Sequence, residues 1–311
     1  KPTATRAASG SILQKLSSLL PALMGGSADL GPSNKTLIRE ESDFTPANRC
    51  GRNLHFGVRE LAMSMIANGM ALFGTALPYC ATFFVFSDYM KPGIRLAALM
   101  NLPVIIILSH DSFYVGEDGP THQPIEQLPM LRTIPNLNVF RPADAQETAL
   151  SWAYALRSRK PTVLLLTRQN VNPLPESTAM IADVSRGGYI VSDDKDFECI
   201  LIASGSEVSL ALETADLLRS EGKKIRVVSM PSMTLFLQQD AEYREKILPQ
   251  ACRKRVSLEA ASTFGWERIT TDSGLNIGID HFGASAPYKV LAEKFGFTSG
   301  NVARKILDFL V

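Results

Sequence analysis

Apolar residues along the chain fall into two patterns, helical spacing and short unbroken runs, and the two alternate. In residues 11–20, Ile12, Leu13, Leu16, Leu19 and Leu20 recur at helical spacing until Pro21 closes the segment. A short strand then leads into Gly25-Gly26-Ser27-Ala28-Asp29-Leu30 and Gly31-Pro32-Ser33-Asn34, a turn whose small residues let backbone amides or hydroxyls approach a ligand. Residues 60–73 predict an amphipathic helix with Leu61, Met65, Ile66, Met70 and Leu72 as its apolar face, an acid in its first turn and Gly74 at its end. Residues 104–108 are an unbroken apolar run, the mark of a strand buried on both faces of a parallel sheet. A strand at 137–140, a helix from about Asp144 with Glu147 at capping-box spacing, and a buried strand at 162–166 follow.

Periodicity lapses between Val171 and Arg186, where Asn172-Pro173-Leu174-Pro175-Glu176-Ser177 reads as a linker, and a second unit begins near Gly187. Its expected strands are 199–203, 225–229, 256–258 and 277–279, interleaved with helices at 208–219, 288–295 and 302–310. Ser192-Asp193-Asp194-Lys195-Asp196 reads as a solvated hairpin turn rather than a metal site. The alternation predicts an α/β protein of two three-layer α/β/α domains, each on a mostly parallel sheet: 1–172, a linker at 173–186, and 187–311. The 311 residues agree, since a domain takes roughly 150.

A net charge of +1 gives no global electrostatic ground for binding nucleic acid or an anionic membrane, although a few local Arg and His residues suffice for a phosphate. Cys50, Cys80, Cys199 and Cys252 are far apart and form no CxxC pair, so reduced thiols are expected rather than a zinc knot or a disulfide framework. No apolar run approaches the roughly 20 residues of a membrane span, and the first nine residues are followed by no signal-type apolar stretch, so cytoplasm is the expected compartment.

Four polar clusters carry candidate chemistry: Asp29 with Ser33; Glu60 after Gly57-Val58-Arg59; the loop from His110-Asp111-Ser112 through Gly116-Glu117-Asp118-Gly119-Pro120-Thr121-His122-Gln123-Pro124; and Arg168. The loop leaves the carboxyl end of the 104–108 strand, where open α/β sheets bind ligands. Histidine suits proton transfer near neutral pH, and Arg168 with Ser33 suits a phosphate. Each also has a plain alternative: Glu60 as a favourable charge at a helix N-terminus, His110 as a satisfied buried histidine, Arg168 as a surface ion pair, and Phe83, Phe84, Phe86 and Tyr89 as core.

These segments, in this order, resemble the transketolase family. The resemblance continues through Arg168-Gln169-Asn170, Gly187-Gly188-Tyr189, Ser204-Gly205-Ser206-Glu207-Val208, Val228-Ser229-Met230-Pro231 and Phe282-Gly283-Ala284-Ser285-Ala286-Pro287. It implies a thiamine diphosphate-binding fold followed by a transketolase C-terminal domain. The implied activity is transfer of a two-carbon ketol unit from a ketose phosphate to an aldose phosphate.

By the resemblance Glu60 hydrogen-bonds the cofactor's aminopyrimidine, and Phe83, Phe86 and Tyr89 wall that ring. His110 and His122 contact substrate near the reacting carbons, Asp118 reads the C2 hydroxyl, Asp29 reads a hydroxyl farther away, and Arg6, Ser33 and Arg168 hold the phosphate end. Arg6 lies beside a chain end expected to fray.

The family also has a diphosphate-binding domain with a Gly-Asp-Gly motif and a divalent ion, Mg or Ca, and no Gly-Asp-Gly occurs here. The resemblance therefore implies that this chain carries the pyrimidine end only. A diphosphate-binding domain or subunit is expected as partner, the chain alone is expected to be inactive, and a homodimer is expected through the first unit. The start Lys1-Pro2-Thr3, without Met, is expected of a fragment or processed chain. Two other readings stand beside this one: a dihydroxyacetone synthase-like enzyme, and a non-catalytic structural or assembly subunit. Phe113-Tyr114 stands where smaller residues are expected and is read as narrowing the substrate channel.

Overall fold

Unbroken apolar runs build the centre of each sheet, because a strand covered by helices on both faces has no polar side to present. The structure, a computed structural model, describes residues 1–175 and 184–311; residues 176–183 of the expected linker lie outside the described part. The first sheet contains β1 (Leu23–Ser27), β2 (Asn53–His55), β3 (Leu77–Phe83), β4 (Ile105–Ser109), β5 (Asn138–Phe140) and β6 (Thr162–Leu166), all parallel, in the order β2-β1-β3-β4-β6-β5. Alternate residues of β4 serve opposite cores. Ile105 and Ile107 join Leu13 of α1 (Thr5–Leu19) and Trp152 of α6 (Ala145–Ser158). Ile106 and Leu108 join Met63 of α3 (Glu60–Phe73) and Met90 and Ile94 of α4 (Ser87–Leu99). Two short helices, α2 (Gly31–Asn34) and α5 (Gln127–Arg132), complete this unit.

The second sheet runs β11-β10-β8-β9-β7, from β7 (Tyr189–Asp193), β8 (Cys199–Ala203), β9 (Ile225–Ser229), β10 (Arg255–Leu258) and β11 (Leu275–Ile277). Only its edge strand β7 is antiparallel. One face packs α7 (Glu207–Ser220) and α12 (Ser299–Leu310), through Val208, Leu218, Val302 and Ile306. The other packs α8 (Met233–Leu237), α9 (Ala241–Ile247) and α10 (Glu267–Thr270), while α11 (Tyr288–Lys294) reaches back to the first unit. One apolar core runs from Leu13 to Ile306 across both units, so they share a packed joint. All four cysteines are free thiols, and among the described residues no helix is long and apolar enough to cross a membrane.

Several expectations are corrected. The first helix begins at Thr5 rather than residue 11, and Thr3 exchanges backbone hydrogen bonds with Val171, which ties down the end expected to fray. Gly25 and Gly26 lie inside β1, where a Cβ would meet the Tyr79 and Leu54 carbonyls at 1.9 and 1.8 Å. Their smallness serves strand approach, not a ligand. The strand expected at 277–279 lies at Leu275–Ile277. The acidic segment 192–196 is no hairpin: β7 pairs with β9, Asp193 is gripped by Arg226, and Asp194 by Arg219 at 2.8 Å. In α6 the Asp144 carboxylate caps Glu147 N as expected, but the Glu147 carboxylate turns back to Ala143 N, one residue earlier than a capping box requires.

On α3 much of the face expected to be buried is exposed. The buried residues of this helix are Glu60, Met63, Ser64, Ala67, Asn68 and Ala71, while Leu61 and Ile66 are exposed and Leu72 and Phe73 are 63% and 81% exposed. Small side chains let α3 approach α4 closely; a Cβ on Gly93 would lie 2.1 Å from Ser64 Oγ, and Asn68 Nδ2 donates to Gly93 O at 2.9 Å. Leu61, Ile66, Leu72 and Phe73 are thereby left facing outward as an exposed apolar patch.

Candidate active site

Because the first sheet is parallel, its strands deliver their following residues to one edge. The register pairs Ser27 with Ala81, Phe83 with Ser109, and Ser109 with Leu166. Asp29, Phe83, His110 and Arg168 therefore emerge at the carboxyl ends of β1, β3, β4 and β6, the edge where such sheets bind ligands. Asp29 and His110 hold left-handed backbones, φ 60° and 63°, uncommon for residues with a Cβ and found where a site demands a fixed direction.

Glu60, the first residue of α3, is 7% exposed, and its Oε1 lies 3.5 Å from Thr82 Oγ1, at the outer limit of a hydrogen bond. Phe83 follows Thr82 along β3. Phe83, Phe86 and Tyr89 form a stepped row, centroids 6.0 and 6.2 Å apart with planes inclined by 9° and 28°. Phe83 is buried and Tyr89 63% exposed, so the row is open at its outer end.

The His110 ring lies 3.7 Å from the Phe83 ring, and His122 stands edge-on to Phe86 at 5.5 Å and to Phe83 at 6.4 Å. Burial, then Arg6, Arg168 and His122, pushes the His110 pKa down to about 3, so its imidazole is neutral at physiological pH. Arg6 donates to the Ser33 carbonyl at 2.8 Å. Burial and the like charge of Arg168 lower its pKa, a crowding of cations that an incoming anion would relieve. Asp118 is exposed at the loop's tip, and His122 is half-buried. The structure thus brings Glu60, the aromatic row, His110, His122, Arg6, Ser33 and Arg168 to one edge, with Asp29 and Asp118 exposed beside it.

Sequence reading missed the bracing. Gln123 Nε2 donates to Gly116 O and to Ala284 O of the second unit, its Oε1 accepts from Ala284 N, and Ser285 Oγ donates to Glu117 O. Asp111 points away from the site and accepts from Arg141 at 2.9 Å; Arg141 also pairs with Glu207 and donates to Ser204 O. Behind it Glu259 takes two hydrogen bonds from Arg132 at 2.7 Å. Burial works against ionisation of Glu259, but Arg132 holds its carboxyl below the usual range. Gly205, at φ 58°, has the Arg141 guanidinium 2.7 Å from where a Cβ would sit, which accounts for the glycine in Ser204-Gly205-Ser206-Glu207. Arg141 directly follows a strand visible in the sequence, and that position was the available signal.

Phe113 and Tyr114 do not narrow the site. Phe113 packs against Phe295 and Phe297, both at 5.3 Å, and Tyr114 against Tyr288 at 6.1 Å, so this bulk wedges the two units together.

Residues 1–173 match the transketolase pyrimidine-binding domain, and residues 187–298 match the transketolase-like C-terminal domain. These define the class as a pyrimidine-binding α/β domain joined to its C-terminal companion. The chain belongs to the transketolase family. It is 51% identical over 310 residues to a transketolase of Geobacillus stearothermophilus, covering 98% of this chain and 46% of that protein. The chain therefore spans about half the length of the curated relatives it matches. The structure of Leishmania mexicana transketolase superposes with a TM-score of 0.95 at 45% identity, covering 100% of this chain and 46% of the other. A Pichia stipitis transketolase complex with sedoheptulose 7-phosphate gives 0.95 at 39% identity, with coverages of 100% and 46%. A split-gene transketolase, described as an inactive β4 tetramer, gives 0.79 at 27% identity, covering 100% of this chain and 99% of that one.

Proposed function

We propose that this chain forms the pyrimidine- and sugar-binding half of a thiamine diphosphate-dependent ketol transferase that moves a two-carbon unit from a ketose phosphate to an aldose phosphate. The observation that carries the reading is the meeting, on one sheet edge, of a buried carboxyl, an aromatic row, a neutral histidine and two crowded guanidinium groups. A flat heteroaromatic ring fits this set: Phe83, Phe86 and Tyr89 offer it a stacking surface, and Glu60 has carboxylate capacity beyond its one long contact to Thr82. When bound, thiamine diphosphate supplies a nucleophilic carbon that accepts and releases the ketol unit.

The chain's own groups do the rest. Glu60 holds and moves a proton at the aminopyrimidine, and the aromatic row keeps water from that end. His110 and His122 contact substrate hydroxyl and carbonyl oxygens, Asp118 and Asp29 read hydroxyl configuration, and Arg6, Ser33 and Arg168 take the phosphate. The residues 173–186 serve as the connection between the two domains.

The diphosphate and its Mg or Ca ion fall to a partner half, which this reading places outside the present chain; the equal length of the split-gene relative, described as inactive, supports that division. The outward face of α3 and α4, with Leu61, Ile66, Leu72, Phe73 and Leu99 exposed, supports self-association through the first unit. The isolated chain is expected to transfer no ketol unit from xylulose 5-phosphate to ribose 5-phosphate, and to sediment at micromolar concentration as a dimer or larger. Turnover by homogeneous chain would refute the division of the site, and a strict monomer would refute the interface.

A further inference from the structure

One side chain closes the loop that runs from Gly116 to His122. Gln123 is 2% exposed; its Nε2 donates to Gly116 O and to Ala284 O of the second unit, both at 2.9 Å, and its Oε1 accepts from Ala284 N at 3.1 Å. Two carbonyls facing the nitrogen and one N–H facing the oxygen leave the amide a single orientation. Gly116 O also accepts from Gly119 N at 3.1 Å, and Gly119 O from His122 N at 3.0 Å. The turns that carry Asp118 and His122 are thus wound onto the carbonyl that Gln123 grips. The second unit is shaped for this contact: a Cβ on Gly283 would lie 1.5 Å from Gln123 Oε1, and Ser285 Oγ donates to Glu117 O. While Gln123 reaches the second unit, the adjacent His122 ring stands against Phe86 and Phe83.

We infer that Gln123 is a positioning residue, through which segment 283–285 of the second unit fixes Asp118 and His122 relative to the aromatic row. The second unit supplies no side chain to the row or to Glu60, which come from α3 and from the run between β3 and α4. Loosening the brace is therefore expected to leave the pyrimidine end in place and to act on the sugar. Asp118 is the group that reads the C2 hydroxyl, so a loosened loop loses discrimination between sugars that differ only at C2, and a small displacement there slows the reaction as well. That last step rests on the proposed function; the brace does not.

The brace is tested by hydrogen exchange on the full chain. Gln123→Leu keeps much of the bulk and deletes the hydrogen bonds. It is expected to speed exchange of the Gly119 and His122 amides by roughly tenfold, as loss of about one net hydrogen bond allows, with the β4 amides unchanged. Gln123→Glu is expected to do the same, because an ionised carboxylate has no proton to offer the Gly116 and Ala284 carbonyls. Ser285→Ala, a milder change at an exposed position, is expected to act in the same direction with a smaller effect. Unchanged exchange at Gly119 and His122 in Gln123→Leu, or in Ser285→Ala if the Gln123 variants do not fold, would overturn the inference. The sugar is judged apart, in enzyme completed by a diphosphate-binding half. There Gln123→Leu is expected to lower kcat/KM for ribose 5-phosphate by roughly 10–10²-fold. The preference for it over arabinose 5-phosphate, its C2 epimer, is expected to shrink several-fold, with half-saturation by thiamine diphosphate unchanged. An intact preference beside faster exchange would overturn the sugar assignment and leave the brace standing. Absence of turnover in the unmodified completed enzyme would count against the proposed function, and exchange alone would then decide the brace.

Discussion

Glu60→Gln, in an enzyme completed by a diphosphate-binding half, is expected to lower kcat for ketol transfer by roughly 10²–10⁴-fold, the usual worth of a positioned proton-transfer group. The substitution keeps the shape of the side chain and a group able to meet Thr82 Oγ1, but it removes the ability to exchange a proton. Glu60 is buried at the first turn of α3, so its second reading, a charge complementing the helix N-terminus, makes a different forecast. On that reading the cost is about 0.3–1 kcal/mol of stability and no loss of kcat. Steady-state kinetics together with a urea unfolding curve on the same variant separate the two. An unchanged kcat with a shifted unfolding midpoint would assign Glu60 to the helix alone.

The largest effect on stability is expected from Arg141→Met. Arg141 is 1% exposed and lies between Asp111 and Glu207, one carboxylate from each unit, with Glu259 and its partner Arg132 close behind. Burial opposes the charge of Arg141, yet Glu207 and Asp111 outweigh it and raise the guanidinium pKa. Methionine fills similar volume but strands two buried carboxylates without their cation. Breaking a buried pair in this way costs roughly 3–5 kcal/mol. Because Asp111 adjoins His110, the loss is expected to reach the site as well as the joint between the units. The measurement is the urea midpoint of the chain; a loss below about 1 kcal/mol, the worth of an exposed pair, would show that the network carries little.

The parallel strands were legible because burial on both faces demands runs such as Ile105 to Leu108 and Thr162 to Leu166, and such runs are short-range facts. The clusters at Asp29 and Ser33, Glu60, the His110–His122 loop and Arg168 were legible from residue type and position, while their separate roles came from the family resemblance and the bracing behind them from neither. Nothing local ties Asn34 to Ser109, 75 positions apart, or Arg141 to Glu207, 66 apart; topology alone makes those pairs. The face of α3 was misjudged for a related reason. Helical spacing identifies a face rich in large apolar residues, but close packing against Gly93 on α4 selected the face with small ones. Phe113-Tyr114 was likewise read against the loop it interrupts, whereas its partners, Phe295, Phe297 and Tyr288, come from the far end of the chain.

On the proposed function this chain is one half of a divided site, competent on its pyrimidine and sugar side and dependent on a partner for the rest. The most direct measurement mixes the chain with the separately produced diphosphate-binding half of a transketolase, thiamine diphosphate and Mg, and follows ketol transfer from xylulose 5-phosphate to ribose 5-phosphate. Turnover is expected to appear with the mixture and to saturate at equal amounts of the two halves. A mixture shown by sedimentation to be associated, yet without turnover, would overturn the division of the site between the two halves.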